Sequence, residues 1–479
     1  MLTYDLSKEK RNNLSLYHYL YLCIKSDIES GNIKPMEKLP SKRNLAQHLQ
    51  ISIMTVQNAY SQLISEGYIY TVEKSGYYAA NIPRIYSDYI NKSPLSVSDK
   101  KHDNNNSQYI HNETTKLCSD YLVDCTGHSS SLSDFPFSAW SKNMREVLRD
   151  KSELLTEPLN HKGVYSLREA LSHYLFKFKG LKVSPNNIII GSGSEYMYGF
   201  LVKLLGRNHI FSLEEPGYGK ISKIYHSEVA ETVHISLDEN GINMEKLLSS
   251  NADILHVSPS HHFPTGIITS ASRRIELLEW VNKSQDRYII EDDYDSEFRY
   301  QGKPVPPLLS LDTNGKVIYM NTFSKTISPS LRISYIILPN SLIEKYEQDF
   351  SYISCTVSAF EQYTLANFIN NGDFERYISR SIRNNKLLRN RVIDIFKTKF
   401  KDNVEILEKD SGLHFLLYFK NMPYDDKIKE QFNKCKININ LLSDYYYNKN
   451  DSPHGYCIIN YSGINPNILE DALKNFDIF

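Results

Sequence analysis

The chain has 479 residues, of which 41% are hydrophobic and 23% charged, as in a globular protein with more than one domain. The formal net charge of -1 excludes a general electrostatic attraction to nucleic acid, so any DNA contact must be local. The N-terminus is polar, no apolar run approaches the roughly 20 residues of a membrane helix, and the six cysteines lack metal-ligand spacing. These features favour a cytoplasmic protein with reduced thiols and no metal site.

The first 81 residues have the pattern of a winged helix-turn-helix. A helix is predicted over 16–30, and Ser41 and Ser52 stand as the N-caps of two short helices. Two strand-like segments follow and turn near Lys74, as the strands of a wing would. In such a module the second short helix enters the major groove of DNA. A helical hairpin without a DNA role is the alternative interpretation.

The same stretch resembles the GntR-type pattern LPSxRxLAxxLxxSxxTVxxAYxxLxxEGY…SGY over most of its length. The resemblance implies a DNA-binding domain over 1–81 that contacts mainly phosphate groups. The family often has arginine directly after the serine that starts the recognition helix, whereas this chain has Ile53 and Met54, so part of its operator reading must differ. The residues expected against DNA are Arg43, Thr55, Gln57, Asn58, Tyr60 and Gly76.

Residues 82–120 are predicted to be a flexible linker, because they are polar, rich in Asn and Ser, and without a sustained hydrophobic period. Such a tether lets the two modules that it joins take variable orientations. Lys100 and Lys101 could touch DNA, but a solvated loop is the favoured interpretation of this segment.

From residue 121 onwards, short apolar strands alternate with helical segments, which predicts a mostly parallel, doubly wound α/β sheet. One buried strand ends in the acidic run that contains Asp292, and the next enters a hydroxyl-rich turn that contains Lys325, with Arg332 seven residues later. The spacing of Asp292 and Lys325 fits one strand–crossover–strand unit. We therefore expect both residues at the same edge of the sheet.

These residue types match the chemistry that pyridoxal phosphate (PLP) requires of a protein. A lysine amine forms a Schiff base with the aldehyde, and an acid keeps the pyridine nitrogen protonated. An arginine with neighbouring hydroxyl groups holds the phosphate. Each segment alone could also be a solvated polar loop, so the assignment depends on both segments occurring in this order.

The run EDDYDSEFRY followed by TFSKTISPSLR is similar to the MocR-type (GabR-like) regulators, in which a GntR-type winged helix is fused to an aminotransferase-like, fold-type I PLP domain. The resemblance extends from about Leu14 to the C-terminus and is interrupted by the linker. It implies an aminotransferase-like domain over 121–479 with a small α+β part at about 340–479. It also implies a homodimer, arranged head to tail with exchanged DNA modules.

The resemblance assigns roles to individual positions. Lys325 is the Schiff-base lysine and Asp292 the partner of the pyridine nitrogen. Tyr294 is the partner of the phenolic oxygen, and Tyr218 stacks on the ring. His262 stands where the family usually has glutamine, and whether it or His261 approaches the cofactor stays open. The residues assigned to the phosphate, partly through main-chain N–H groups, are Ser192, Gly193, Ser194, Glu195, Thr322, Ser324 and Arg332.

The sequence also lacks an arginine that the resemblance leads us to expect. Aminotransferases of this fold grip the substrate carboxylate with an arginine of the C-terminal small domain, but here the final segment, after Arg391, contains no arginine. Lys220 stands where GabR-like proteins have another arginine. This favours a regulator that senses PLP itself, as in the PdxR-like branch that controls vitamin B6 synthesis, over one that senses a PLP–amino acid adduct. A functional aminotransferase with an appended DNA-binding domain is the alternative. The Gly-Leu-His strand at 412–414 is interpreted as structural.

Overall fold

The computed structural model describes residue 4 and residues 14–72, 75–81, 121–127, 135–300, 305–407, 410–420 and 424–477. The predicted linker over 82–120 and the predicted wing turn at Lys74 lie outside these ranges, apart from the flanking residues of that turn. No helix in these ranges is both long and apolar enough to cross a membrane.

Three helices and a three-stranded antiparallel sheet form the N-terminal domain. In chain order the elements are α1 (Leu16–Ser30), β1 (Lys38–Leu39), α2 (Lys42–His48), α3 (Ile53–Ser65), β2 (Ile69–Val72) and β3 (Gly76–Ala79). The strands are ordered β1-β3-β2. The side chains of Ser41 and Ser52 accept hydrogen bonds from the N–H groups of Asn44 and Thr55, which confirms both predicted N-caps.

The large domain is built on an eight-stranded sheet. Its first elements are β4 (Val123–Asp124), α4 (Phe137–Asp150), α5 (Tyr165–Lys179), β5 (Ile188–Gly191), α6 (Ser194–Leu205), β6 (Ile210–Glu215), α7 (Gly219–Ser227), β7 (Glu231–Asp238), β8 (Gly241–Ile242) and α8 (Met244–Ser249). They are followed by β9 (Ile254–Val257), α9 (Ala271–Asn282), β10 (Tyr288–Asp292), β11 (Val317–Thr322), α10 (Phe323–Thr326), β12 (Ser334–Ile337), α11 (Asn340–Asp349) and α12 (Ala359–Asn370).

The strand order of this sheet is β5-β12-β11-β10-β9-β6-β7-β8. The central strands β11, β10, β9, β6 and β7 run parallel, while β12 and β8 are antiparallel to their neighbours. The mostly parallel sheet that the sequence predicts is therefore confirmed. Because β10 and β11 are adjacent and in register, with Asp292 opposite Met320, their carboxyl ends meet at one edge of the sheet.

The C-terminal part is a smaller α+β unit that is entered through the long helix α13 (Asp373–Phe400). Its remaining elements are β13 (Val404–Leu407), β14 (His414–Phe419), α14 (Asp425–Lys434), β15 (Ile437–Asn438), β16 (Asn440–Leu441), β17 (Tyr456–Asn460) and α15 (Pro466–Leu473). Four of the strands form an antiparallel sheet in the order β13-β14-β17-β16, and β15 pairs with β4. Phenylalanines from α13, β14, α14 and the end of the chain pack together in its core.

Candidate functional site

A cavity of about 670 Å³ opens where the parallel strands of the large sheet end. This is the edge at which α/β sheets of this kind bind ligands, because the loops diverge there. Residues of the small domain also line the cavity. Among the residues predicted for the cofactor, those that line the cavity are Ser194, Glu195, Tyr218, Asp292, Tyr294, Thr322, Ser324, Lys325 and Arg332.

Lys325 lies on α10, directly after β11, and lines this cavity. The surrounding protein excludes enough water to lower the pKa of the amine, and the carboxylate of Asp295 partly opposes this shift. A lowered pKa increases the fraction of neutral amine, which is the form that attacks an aldehyde. The hydroxyl of Ser324 donates to the carbonyl of Leu331 and so fixes the turn that carries the lysine.

Asp292 is buried at the end of β10, and its two carboxylate oxygens have different surroundings. Oδ2 accepts a hydrogen bond of 2.6 Å from the hydroxyl of Tyr198 and lies 3.6 Å from Nε2 of His256. The hydroxyl of Tyr225 lies 2.7 Å from Nδ1 of the same histidine. Oδ1 is buried without a hydrogen-bond partner among the described residues. A protonated pyridine nitrogen is a donor of the kind that this oxygen lacks, so the residues fit PLP.

The start of α6 and the guanidinium of Arg332 form a compact anion site. Gly193 precedes the helix with a φ of 90°, and a Cβ added there would lie 2.6 Å from Nη2 of Arg332. The guanidinium can therefore lie against the main chain only because this residue is glycine. Helix N–H groups and an arginine together suit a phosphate. Ser192 and Gly193 belong to the turn before the helix, where the sequence places them.

The side chain of Glu195 has a contact that the sequence analysis did not anticipate. Its carboxylate forms an ion pair with Lys220, and its Oε2 lies 3.6 Å from Nη2 of Arg332. The hydrogen bond from Lys220 lowers the pKa of this carboxyl, and all three side chains are about half exposed. Glu195 thus places a negative charge beside the cations that would hold a phosphate.

The two histidines that the sequence left unresolved have different positions. Nδ1 of His261 lies 3.0 Å from both carboxylate oxygens of Asp295 and 3.3 Å from the hydroxyl of Tyr294. His262 lines the cavity, with Nδ1 2.8 Å from the hydroxyl of Thr265. Burial and the neighbouring His261 lower the pKa of His262 to about 3, so its ring is neutral. His262 is thus part of the cavity wall, whereas His261 contacts the hydroxyl of Tyr294, which is itself part of that wall.

Tyr218 lies at the mouth of the cavity, directly before α7, and 45% of its surface is exposed. Its ring is edge-on to Phe263 with the ring centroids 6.3 Å apart. Tyr218 is one of the residues that line the cavity.

On the DNA-binding module, Arg43, Gln57 and Asn58 are exposed, and Thr55 and Gly76 are partly exposed. The prediction that Tyr60 faces DNA is wrong, because this side chain is 1% exposed and its hydroxyl donates to the carbonyl of Pro40. This hydrogen bond joins α3 to the residue before Ser41, the N-cap of α2.

Both modules match known families. Residues 16–78 match the bacterial regulatory proteins of the gntR family, and residues 125–439 match aminotransferase class I and II. The uncharacterized HTH-type transcriptional regulator YdeL of Bacillus subtilis is 34% identical over 464 residues, which cover 96% of each chain. This chain belongs to the MocR-type regulators. The aminotransferase-like domain of such regulators takes PLP as its cofactor.

Two further comparisons agree with this family. The HTH-type pyridoxine biosynthesis transcriptional regulator PdxR of Corynebacterium glutamicum is 28% identical over 88% of this chain and 86% of its own length. The multiple substrate aminotransferase from Thermococcus profundus has the same fold, with a TM-score of 0.66 and 22% identity over 75% of this chain and 91% of that one.

In this MocR-type chain the small domain contributes tyrosines and a lysine to the cavity wall. They are Tyr445, Tyr446, Tyr447 and Lys449. No arginine from the described part of the small domain lines the cavity. The N–H groups of Tyr447 and Asn448 donate to Oε1 of Glu215, and the N–H of Gly217 donates to the carbonyl of Tyr445. These bonds hold the small-domain wall against the loop that carries Tyr218.

Several residues of the MocR-type site were not predicted from the sequence. Tyr198 on α6 and His256 on β9 contact Asp292, although neither residue was among those predicted. Glu214 lines the cavity, and burial raises the pKa of its carboxyl to about 8. His414 was interpreted as structural, but it also lines the cavity, with Nε2 3.1 Å from the carbonyl of Pro264. The Gly-Leu-His motif at 412–414 was the sequence signal that could have identified His414 as a residue of the site.

Proposed function

We propose that this chain is a PLP-dependent, sequence-specific transcription regulator that acts on a double-stranded DNA operator in the cytoplasm. In this proposal residues 1–81 bind DNA, 82–120 link the modules, and 121–479 bind PLP, with the small-domain part at about 340–479. Lys325 binds PLP covalently, and the other cofactor residues take the roles predicted from the sequence.

The observation that carries the proposal is the unpartnered Oδ1 of Asp292 in the same cavity as Lys325 and Arg332. A buried carboxylate oxygen without a donor costs free energy unless a ligand supplies one. An amine of lowered pKa and a glycine-backed arginine in the same cavity meet the other two needs of PLP.

We further propose that the effector is PLP itself rather than an amino acid joined to it. The described small-domain wall offers tyrosines and Lys449 where a substrate carboxylate would need a planar fork of donors. Lys220, which could substitute for such a fork, is engaged by Glu195. The pyridoxine biosynthesis regulator among the relatives of this chain supports the same direction.

The protein is proposed to act as a homodimer that is joined through its aminotransferase-like domains. In the structure, the winged helix contacts the large domain of its own chain. A head-to-tail exchange between subunits would replace this contact by the same contact made with the partner.

Covalent capture tests the cofactor site. Incubation with PLP followed by borohydride reduction should leave a pyridoxyl group on Lys325, as located by peptide mass spectrometry. The variant Lys325→Ala should carry none, while Lys223→Ala, which removes another lysine of the same cavity wall, should be labelled like the wild type. Labelling of the wild type at other lysines only would contradict the proposed site.

Genomic footprinting with and without added PLP tests the regulatory role. We expect protected operators whose occupancy changes with PLP in the wild type and does not change in Lys325→Ala.

A panel of amino acids, added to the PLP-loaded protein, tests the effector. An unchanged absorption spectrum supports PLP as the effector, and a rapid change with one amino acid contradicts it. Release of the matching keto acid over many turnovers would instead indicate a functional aminotransferase.

A further inference from the structure

The C-terminal end of the recognition helix rests directly on the large domain. Glu66 is the C-cap of α3, and its main-chain carbonyl accepts a hydrogen bond of 3.0 Å from the N–H of Ala271. Gly67 has a φ of +74°, and a Cβ added there would lie 2.9 Å from the main-chain nitrogen of Ala271. The two main chains therefore meet without space for a side chain between them.

This junction is buried rather than superficial. Ala271, the first residue of α9, is 6% exposed and belongs to the apolar core of the winged-helix domain. The carboxylate of Glu66 is also buried, accepts a hydrogen bond of 2.7 Å from Tyr21 on α1, and lies 3.6 Å from the amine of Lys25. Both α1 and α3 are thus held to the residue that contacts α9, so the winged helix can follow a movement of α9 as one unit.

On its other side, α9 is tied to the loop over 259–269. Arg274 is 3% exposed, and its guanidinium donates to the carbonyls of Thr269 at 3.0 Å and Pro259 at 2.7 Å. The side chain of Arg274 therefore holds both ends of the loop. The two ends are also bonded to each other, because the N–H of Thr269 donates to the carbonyl of Pro259. A third bond from the guanidinium reaches the carbonyl of Pro306.

The same loop forms part of the cofactor cavity. It carries His262 and Phe263, which line the cavity. Within the loop, the N–H of His262 donates to the main-chain carbonyl of Ile267 at 2.9 Å. The N–H of Gly266 donates to the main-chain carbonyl of His262 at 2.7 Å. These internal bonds make the loop a compact unit. A movement of His262 or Phe263 would therefore displace both ends of the loop, which are bonded to Arg274 of α9.

We propose that the surface formed by Ser270, Ala271 and Arg274 is the docking site through which the winged helix responds to the cofactor. Its occupant is the Glu66–Gly67 end of the recognition helix, which the same chain supplies in the structure. Coupling between distant sites needs an element with two arrangements that both sites bias, and this buried junction is the element that links them. The inference rests on the proposed PLP response and names the contact that transmits it.

The test measures the ratio of the DNA dissociation constants with and without PLP, using a duplex recovered by footprinting. In Gly67→Ala the added Cβ separates the two main chains, so we expect this ratio to fall to about 1 while borohydride still traps PLP on Lys325. The matched control is Gly180→Ala. Gly180 also ends a helix, with a φ of +68°, but a Cβ there meets nothing within 4 Å. It carries the same backbone strain, so it should keep the wild-type ratio.

A second variant, Arg274→Lys, keeps the charge and removes the planar fork that holds both ends of the loop. It should also bring the ratio towards 1, with PLP trapping retained and a cooperative thermal transition that shows folding. Wild-type ratios in both Gly67→Ala and Arg274→Lys overturn the junction while leaving the proposed function intact. A wild-type protein that traps PLP but binds DNA equally with and without it overturns the proposed function, and the junction with it.

Discussion

The hydroxyl of Tyr198 donates to Oδ2 of Asp292 at 2.6 Å and leaves Oδ1 of the same carboxylate free for a ligand. Tyr198 belongs to α6, the helix whose first turn lies beside Arg332. One helix therefore contacts both Asp292 and Arg332, the residues proposed to hold the two ends of the cofactor. This arrangement is the kind of support that keeps a binding site preorganised.

Removal of this support should weaken PLP binding. Tyr198→Phe leaves the buried carboxylate with one donor fewer, and hydrogen bonds to charged groups contribute about 1.5–3 kcal/mol. We therefore expect a loss of PLP affinity of roughly tenfold or more, measured by spectral titration. Tyr225→Phe is the control, since its hydroxyl contacts His256 and not the carboxylate, and its effect should be smaller. Equal effects of the two variants would contradict the role given to Tyr198.

Glu195 should weaken the hold on the phosphate, because its carboxylate occupies Lys220 and Arg332. We expect Glu195→Gln to bind PLP about two- to fivefold more tightly, the range for a half-exposed ion pair. The gain should shrink as salt is added, because salt screens exposed charges. Glu245→Gln, at an exposed position on α8, should leave the affinity unchanged. Weaker binding by Glu195→Gln would show that the carboxylate assists the site instead.

The buried carboxyl of Glu214 should make the stability of the PLP-free protein depend on pH. Its pKa rises from 4.5 to about 8 on folding because it is desolvated, so between these values the folded chain holds a proton that the unfolded chain has released. Stability is therefore present in full below the lower value, falls as the pH rises towards about 8, and then levels off.

Glu214→Gln cannot ionise and should lack this part of the pH dependence. The melting temperature of Glu214→Gln minus that of the wild type should be several degrees larger at about pH 9 than at about pH 5. Glu245→Gln serves again as the exposed control and should keep the wild-type slope. Parallel curves for Glu214→Gln and the wild type would contradict the raised pKa.

The recognition helix offers a contrast between an exposed and a buried position. Gln57 is exposed, and we expect Gln57→Ala to lower operator affinity by about 1–3 kcal/mol, the cost of one lost base contact. Tyr60 is buried and donates to Pro40. Tyr60→Phe should lower the free energy of unfolding by about 1 kcal/mol and leave the salt dependence of DNA binding unchanged. A change in that salt dependence would restore Tyr60 as a phosphate contact.

Parts of the fold and of the candidate cofactor site are predictable because the residues concerned follow local rules. Ser41 and Ser52 cap helices through bonds to residues three positions away, so the chain sequence alone indicates them. Asp292 and Lys325 could be placed together because adjacent parallel strands bring their carboxyl ends to one edge. Both inferences use short-range geometry or a topological rule, and neither needs the packing of distant segments.

Other features depend on packing between distant segments. Tyr198 reaches Asp292 across 94 positions of the chain, and no pattern in either segment specifies the other. Tyr60 lies on the apolar face of α3 with Val56 and Leu63, but the helical period does not decide whether the hydroxyl of such a tyrosine reaches DNA or a partner inside the domain. Packing against Pro40 decided that question for Tyr60.

By itself, the sequence determined the two modules, the sheet class and the PLP-type residues at the ends of two strands, because capping, periodicity and strand order are local or topological properties. Only the tertiary structure decided which oxygen of Asp292 is free, that Glu195 engages Lys220, and that Gly67 touches Ala271. These contacts arise between elements that are far apart in the chain, and the shape of the folded core, not any local pattern, brings them together.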